Sequence, residues 1–285
     1  MSATSSRKQN LQRLSGVGNR VGAVIASGYR ARVHHFFTAR CEAGADEGHV
    51  NAAQVQTYAR IAGVLFLISA VAGGFGEFFV PFQLIVSNDA TSTANNIMSS
   101  DLLFRMGFAG YLVEALCDIS LTLILYVLLR PVNRDLALLA VFFRLVGTAV
   151  FAVTELFYFS ALFILGGADY LKTFSPDQLA TLAYLSLRMS VYGGGLFFVI
   201  GGVAYILQGY LIFRSGFLPK FLGVLLALGG LGFVIRSFAL ALAPAYASLA
   251  LLLPTAVAGL ALTAWLLVKG IDVQKWQERA ARVSP

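Results

Sequence analysis

Histidine and cysteine, the side chains that most often bind metals or act as nucleophiles, are scarce in this chain. The histidines are His34, His35 and His49, all near the N-terminus, and Cys41 is far in sequence from Cys117. No histidine of an apolar segment can therefore ligate a metal or a haem, and no disulfide framework can form. The sequence also has no phosphate-binding loop, no Gly-x-Ser-x-Gly and no paired-cysteine motif. We therefore expect neither a cofactor nor a metal site.

Charged residues are few as well. They make up 12% of the 285 residues, whereas hydrophobic residues make up 58%. An average soluble domain carries about 25% charged residues, so a soluble fold is excluded and the lipid bilayer is the expected partner. The formal net charge is +7, but most basic residues lie near the N-terminus and in short loops. We interpret this charge as a signal of membrane orientation and expect no nucleic-acid partner.

Long apolar runs predict an all-α fold, a polytopic membrane helix bundle with about six transmembrane helices. Each run reaches the ~20 residues needed to cross a bilayer. The fourth run is longer than one straight span needs, so its first turns are expected to project from the membrane or to lie on it. The predicted spans are Thr57–Phe82, Leu102–Leu129, Asp135–Leu165, Pro176–Phe213, Leu218–Leu242 and Ser248–Val268.

These spans define a membrane domain over residues 57–270 with a polar segment at each end. Residues 1–56 are basic, which predicts a disordered or surface-lying tail; an organelle transit peptide and a start site assigned too far upstream are the alternatives. Residues 271–285 are a second tail that fits a short interfacial helix. The loops obey the positive-inside rule if both termini are cytoplasmic, because the opposite loops then hold only Lys172 and the membrane-edge Arg105.

Ionisable side chains inside the predicted spans are the candidate functional residues. Each costs roughly 2.5–3.5 kcal/mol in hydrocarbon, so they should face other helices or water rather than lipid. Acids and bases balance, which indicates internal ion pairs. We predict a pair between Asp118 and Arg144 around the Pro131 hinge, and we place Glu155 level with Arg188 and Glu77 level with Arg105. The full set is Glu77, Arg105, Glu114, Asp118, Arg144, Glu155, Arg188 and Arg236.

Two interpretations of these charges remain open. Ion pairs that only fix helix order and register are one, since separating a buried pair is strongly penalised. A polar cavity for a substrate or a proton path is the other, with Glu114 and Asp118, one helical turn apart, as the proton-exchanging element. We predict that Glu114 is protonated at neutral pH unless an arginine approaches it. Exposed positions are plausible only for Arg105 and Arg236, near the ends of their spans.

Several segments of the chain resemble the bacterial integral-membrane family catalogued as domain of unknown function 4386. The resemblance covers Thr57–Gly270 and includes charged as well as apolar residues. It implies a multi-pass protein of a bacterial plasma (inner) membrane, without an assigned activity or catalytic residues. The segments are Tyr58-Ala-Arg-Ile-Ala-Gly-Val-Leu65, Glu77-Phe-Phe79, Leu102-Leu-Phe-Arg105, Leu116-Cys-Asp118, Leu128-Leu-Arg-Pro-Val-Asn-Arg134, Phe142-Phe-Arg-Leu145, Gly209-Tyr-Leu-Ile-Phe-Arg-Ser-Gly216, Leu218-Pro219 and Leu222-Gly-Val-Leu-Leu-Ala227.

Our leading functional hypothesis is a non-enzymatic membrane protein, either a transporter-like bundle with a small-molecule or lipid ligand or an accessory protein. The alternative is a membrane-embedded enzyme that acts on a lipid or isoprenoid-type substrate through acidic residues. A closed core of paired charges favours the structural or accessory role. A polar cavity open to one leaflet favours the enzyme. The sequence leaves the catalytic residues, the substrate and the oligomeric state undetermined.

Overall fold

The computed structural model describes residues 52–282, and within this range the chain is helical and contains no strand. Residues 1–51 of the predicted N-terminal tail lie outside the described residues. The last five residues of the predicted tail, 52–56, belong to the first helix, which begins at Ala52. The described part of the C-terminal tail carries the short helix that was predicted there.

Six helical stretches of the described chain are long and apolar enough to cross a bilayer, which confirms the predicted fold class. Their bounds differ from the predicted ones by a few residues. In chain order the helices are α1 (Ala52–Gly73), followed by a π-helical turn (Gly74–Phe79) and α2 (Val80–Leu84), then α3 (Ala90–Ser99), α4 (Asp101–Leu129), α5 (Arg134–Leu165), α6 (Pro176–Ser215), α7 (Lys220–Leu242), α8 (Leu253–Val268) and α9 (Val273–Ala281). The first span therefore joins α1, the π-helical turn and α2, and a short 3₁₀ turn leads into α8.

Local sequence signals account for the helix ends. Ser175 and Gln178 form a capping box at the start of α6, which pairs backbone donors that the helix cannot satisfy itself. Asn133 accepts a hydrogen bond from the Leu136 backbone N–H at 2.9 Å and starts α5. Gly216, with φ of 77°, ends α6, because the left-handed conformation carries no penalty for glycine.

Glycines bring two pairs of helices into close contact. In the pair α6 and α7, a Cβ on Gly209 would lie 2.6 Å from the Gly223 carbonyl oxygen. In the pair formed by the first span and α4, a Cβ on Gly76 would lie 2.8 Å from the Gly107 carbonyl oxygen. Apolar lipid provides no hydrophobic force between helices, so such close backbone approach is a main source of packing energy in membranes.

The C-terminal helix α9 packs back onto the bundle. Trp276 is only 3% exposed, and its indole Nε1 donates to the Leu128 carbonyl oxygen at 2.9 Å. The Asp272 backbone N–H donates to the Phe217 carbonyl oxygen at 3.1 Å. Hydrogen bonds from Lys275 hold the pKa of the Asp272 carboxyl below its usual range. The hydrogen bond of Trp276 joins α9 to the end of α4, and that of the Asp272 backbone joins it to the turn between α6 and α7.

Candidate functional site

Asp118 of α4 and Arg144 of α5 form the predicted ion pair. Arg144 Nη2 donates to Asp118 Oδ1 at 2.6 Å, and the two residues are 4% and 7% exposed. The Arg144 guanidinium also lies over the Tyr205 ring of α6, with Cζ 4.9 Å from the ring centroid. A buried pair of this kind keeps both charges compensated in hydrocarbon. It therefore fixes the register of α4 against α5.

Glu114 lies one turn before Asp118 on the same face of α4, and its carboxyl group packs against Gly73 of α1. A Cβ at Gly73 would come within 2.5 Å of Glu114 Oε2, so the acid occupies space that only glycine leaves open. Oε2 is buried and has no hydrogen-bond partner. In the part of the chain that the structure describes, no basic side chain forms an ion pair with Glu114. This is the condition under which the sequence predicts a neutral Glu114, and that prediction stays untested.

Glu77 lies in the π-helical turn of the first span. The Tyr111 hydroxyl donates to the Gly76 carbonyl oxygen of this turn at 2.8 Å, and Gly76 itself packs on the Gly107 backbone. A π turn inserted in an α-helix shifts the direction of the side chains that follow it, and such turns are frequent at functional sites. Here the turn directs Glu77 into the same cavity that Glu114 and Asp118 line.

This cavity, the larger of two that adjoin, has a volume of about 350 Å³. Glu77, Glu114, Asp118 and Arg144 supply its charged lining, while Ser69, Thr255 and Thr263 supply hydroxyl groups. Six of the thirteen other lining residues are aromatic. They are Phe66, Phe78, Phe197, Phe198, Tyr205 and Phe233.

A smaller cavity of about 180 Å³ shares part of its wall with the larger one, including Glu77. Glu155 and Tyr158 of α5 line it together with Arg236 of α7. The Tyr158 ring stacks on Phe104 at a centroid distance of 4.4 Å, but its hydroxyl has no hydrogen-bond partner. The two cavities thus join the charged residues of four helical spans around Glu77.

Buried polar atoms without a partner concentrate at these cavities. Among the described residues, every buried side-chain nitrogen or oxygen without a hydrogen bond belongs to a residue that lines one of the two cavities. An unpaired buried polar group costs about 1–3 kcal/mol, so such groups are few in folded proteins and their concentration in one place requires an explanation. The residues concerned are Glu114, Arg144, Glu155, Tyr158 and Arg236.

Two of the arginines that were placed level with acids lie outside the site. Arg105 is exposed and pairs with Asp101, one turn earlier on α4, at 2.9 Å instead of with Glu77. Arg188 is exposed and lies 5.8 Å from the Tyr192 ring centroid, and it forms no ion pair with Glu155. The expected ion pairs of Glu77 and Glu155 were therefore wrong. Counting residues from a loop gives a position along the helix but not the direction of the side chain, and both arginines face outward.

Arg236 was given an exposed position as an alternative, but it is half-buried and lines the smaller cavity. Its guanidinium lies 5.5 Å from the Phe198 ring centroid. Tyr111, Tyr158 and Tyr205 were not among the candidate residues of the sequence analysis. All three contact the charged interior, which a tyrosine between apolar neighbours does not reveal in sequence.

Metal ligands do not cluster in the described chain: no group of three or more histidine, cysteine, aspartate or glutamate side chains there is arranged to hold a metal ion. The chemistry available at the cavities is that of carboxyl groups, guanidinium groups, hydroxyl groups and aromatic faces.

Fold and cavities together define a class of protein, the multi-pass membrane helix bundle with a polar interior. The chain belongs to the family described as domain of unknown function DUF4386, which matches residues 61–270. An uncharacterized protein from Archaeoglobus fulgidus is 29% identical over 126 residues, which are 44% of this chain and 62% of that protein. The chain thus spans less than two thirds of the length of this relative. No solved structure matches the chain.

Proposed function

We propose that the protein is a non-enzymatic, transporter-like membrane protein that binds a small molecule inside its helix bundle. The observation that carries this proposal is the concentration of unpaired buried polar atoms at two adjoining cavities. Charged residues that served only to hold helices in register would be expected to form ion pairs with one another, as Asp118 and Arg144 do. Glu114 and Glu155 instead present unpaired carboxyl oxygens where a ligand could bind.

We infer that a route from the bilayer to the larger cavity runs between the first and last spans. At one end of the bundle α1 and α8 are in contact, since Gly63 packs on Leu267 and Gln56 Nε2 donates to the Lys269 carbonyl oxygen at 3.1 Å. Further along, residues of both helices line the cavity, and Ala70 and Leu260 on its rim are exposed. We therefore infer that the ligand enters sideways from the lipid.

Thiol accessibility tests this proposal. In a variant without Cys41 and Cys117, Ser69→Cys places a thiol in the larger cavity, and Ser186→Cys places one in a packed region outside it. Both serines are buried, at 9% and 6% exposure. In proteoliposomes, membrane-permeant N-ethylmaleimide should modify Ser69→Cys at least about tenfold faster than Ser186→Cys. Equal, slow modification of the two would overturn the proposal.

Enzymatic action on a lipid or isoprenoid-type substrate is the second candidate, and the cavity itself favours it, because a lipid-accessible polar cavity was the feature expected of an enzyme. Glu114 beside Asp118 provides a carboxyl group that could donate or accept a proton. The test is to incubate the purified protein with total bacterial polar lipids and to analyse them by mass spectrometry. A new lipid species that disappears with Glu114→Gln would favour the enzyme over the transporter-like protein.

We also propose that the protein lies in the plasma (inner) membrane of a bacterium with both termini in the cytoplasm. Support comes from the basic residues Arg130, Arg134, Arg214, Lys220 and Lys269, which all lie at the turns on one side of the bundle. Lysine and arginine are enriched in cytoplasmic loops.

A further inference from the structure

Carboxyl groups outnumber basic groups in the lining of the larger cavity. Among the residues that the structure describes, Glu77, Glu114 and Asp118 line it together with a single basic residue, Arg144. Arg144 is already bound to Asp118 at 2.6 Å. Within residues 52–282, neither Glu77 nor Glu114 forms an ion pair. Glu77 and Glu114 give this cavity a preference for a positive charge, because a carboxyl group that is neutral in the empty cavity can release its proton when a bound cation compensates the carboxylate.

The smaller cavity adds a third unpaired acid. Glu155 is 9% exposed, and its Oε2 is buried without a hydrogen-bond partner while the residue lines this cavity. Arg236 lines the same cavity, but it forms no ion pair with Glu155 and its guanidinium faces the Phe198 ring. The buried, unpaired carboxyl oxygen is a second and independent sign that a donor or a cation binds here.

Aromatic rings complete the lining. The faces of phenylalanine and tyrosine rings carry partial negative charge and attract cations within about 6 Å of the ring centroid. Two rings of the cavity wall already do so within the protein, because Tyr205 holds Arg144 at 4.9 Å and Phe198 holds Arg236 at 5.5 Å. The remaining rings include Phe66, Phe78 and Phe233. A mainly apolar cavity with a few acids suits a ligand with a large apolar body and one positive charge.

We propose that the cavity binds a lipophilic organic cation, an ammonium or phosphonium group on an apolar body, with its charge between Glu77 and Glu114. This assignment of a ligand class rests on the proposed function, since it requires a ligand-accessible cavity. Phosphate and carboxylate ligands are disfavoured, because the one basic group among the described residues that line the larger cavity is bound to Asp118. The apolar body would lie against the aromatic wall, on the route between α1 and α8.

Two probes of nearly the same shape and opposite charge, tetraphenylphosphonium and tetraphenylborate, test the proposal. The protein is the full chain in lipid nanodiscs, with Ser69→Cys as the only cysteine. Tetraphenylphosphonium should slow the reaction of this thiol with N-ethylmaleimide in a saturable manner, and tetraphenylborate should not. Glu114→Gln and Glu77→Gln should each weaken the protection about tenfold, whereas Asp101→Asn, at a half-buried acid outside the cavity, should leave it unchanged.

Each outcome decides a different claim. A reactive thiol that neither probe protects would overturn the cation proposal and leave the proposed function standing. Equal protection by both probes would also overturn it, because the cavity would then not distinguish a cation from an anion of nearly the same shape. A thiol that does not react in the absence of probes would overturn the proposed function, and the cation proposal with it. If Glu114→Gln fails to fold, Glu77→Gln and the two probes still decide the question.

Discussion

The carboxyl group of Glu114 lies so close to Gly73 that an added methyl group there would come within 2.5 Å of Oε2. This contact links α1 to α4 and sets the position of the acid in the larger cavity. The atoms involved are the far end of a flexible side chain, so they can move without disturbing the backbone.

Gly73→Ala should therefore move the Glu114 carboxyl group without unfolding the protein. We expect a thermal unfolding midpoint close to that of the parent, and binding of tetraphenylphosphonium weakened about fivefold to tenfold. Gly74→Ala is the matched control, because Gly74 lines the same cavity and an added Cβ would meet nothing within 4 Å. Equal binding by the two variants would contradict the role of the Gly73 contact.

The Asp118–Arg144 pair should be energetically coupled. Asp118→Asn or Arg144→Gln leaves a buried charge without its partner, which should lower the free energy of unfolding in detergent by about 3–5 kcal/mol. The double variant should recover part of this loss, since no uncompensated charge remains. Strictly additive losses, measured by chemical or thermal unfolding, would contradict the coupling.

Close packing of α6 on α7 predicts different effects at two glycines of one helix. Gly209→Ala would bring a Cβ within 2.6 Å of the Gly223 carbonyl oxygen and 2.7 Å of the Ala227 nitrogen, both backbone atoms. The helices would have to separate, so we expect a lower unfolding midpoint and a loss of about 1–3 kcal/mol. Gly194→Ala, where nothing lies within 4 Å, should leave stability unchanged or raise it slightly. A stable Gly209→Ala variant would contradict the close contact.

The hydrogen bond between Trp276 and Leu128 predicts that α9 contributes to stability. Trp276→Phe removes the indole N–H and leaves a buried carbonyl oxygen unpaired, which should cost about 1–2 kcal/mol in the free energy of unfolding. Trp265→Phe is the control, because in the described chain the Trp265 indole donates no hydrogen bond. Losses of the same size in both variants would show that the hydrogen bond is not the cause.

Membrane orientation can be tested at two exposed residues on opposite sides of the bundle. In intact cells, with Cys41 and Cys117 replaced, an impermeant maleimide should label Thr173→Cys and spare Gln277→Cys. Permeabilising the cells should expose Gln277→Cys to the reagent. Labelling of Gln277→Cys before permeabilisation would contradict a cytoplasmic C-terminus.

The spans and their ends could be predicted because they depend on local properties of the chain. Runs of apolar residues fix the number of spans, and signals such as Ser175 with Gln178 or the glycine at position 216 mark the ends. The Asp118–Arg144 pair was also predictable, because both residues are counted from the same short hinge at Pro131. Two residues at the same depth are then close enough to form a pair, since the two helices are neighbours in sequence and in space.

The cavity could not be predicted because it depends on how helices rotate and where they separate. Glu155 and Arg188 flank one loop, as Asp118 and Arg144 flank one hinge, yet Arg188 turns outward. Glu77 lies within a π-helical turn, which changes the direction of its side chain, and a count that assumes a constant angle per residue does not allow for this. The aromatic wall combines residues of the first span with others from α6 and α7, which only the tertiary structure brings together.

Access to the larger cavity between α1 and α8 is the central claim, and a cavity-filling variant tests it most directly. Gly259 lines the cavity from α8, and an added Cβ there would meet nothing within 4 Å, so Gly259→Phe can extend into the cavity. Val257, on the same helix, is 53% exposed outside the cavity and provides Val257→Phe as the control. The measurement is the rate at which N-ethylmaleimide modifies Ser69→Cys in each variant in proteoliposomes. We predict a rate at least about tenfold lower with Gly259→Phe and an unchanged rate with Val257→Phe; an unchanged rate with Gly259→Phe would contradict the account.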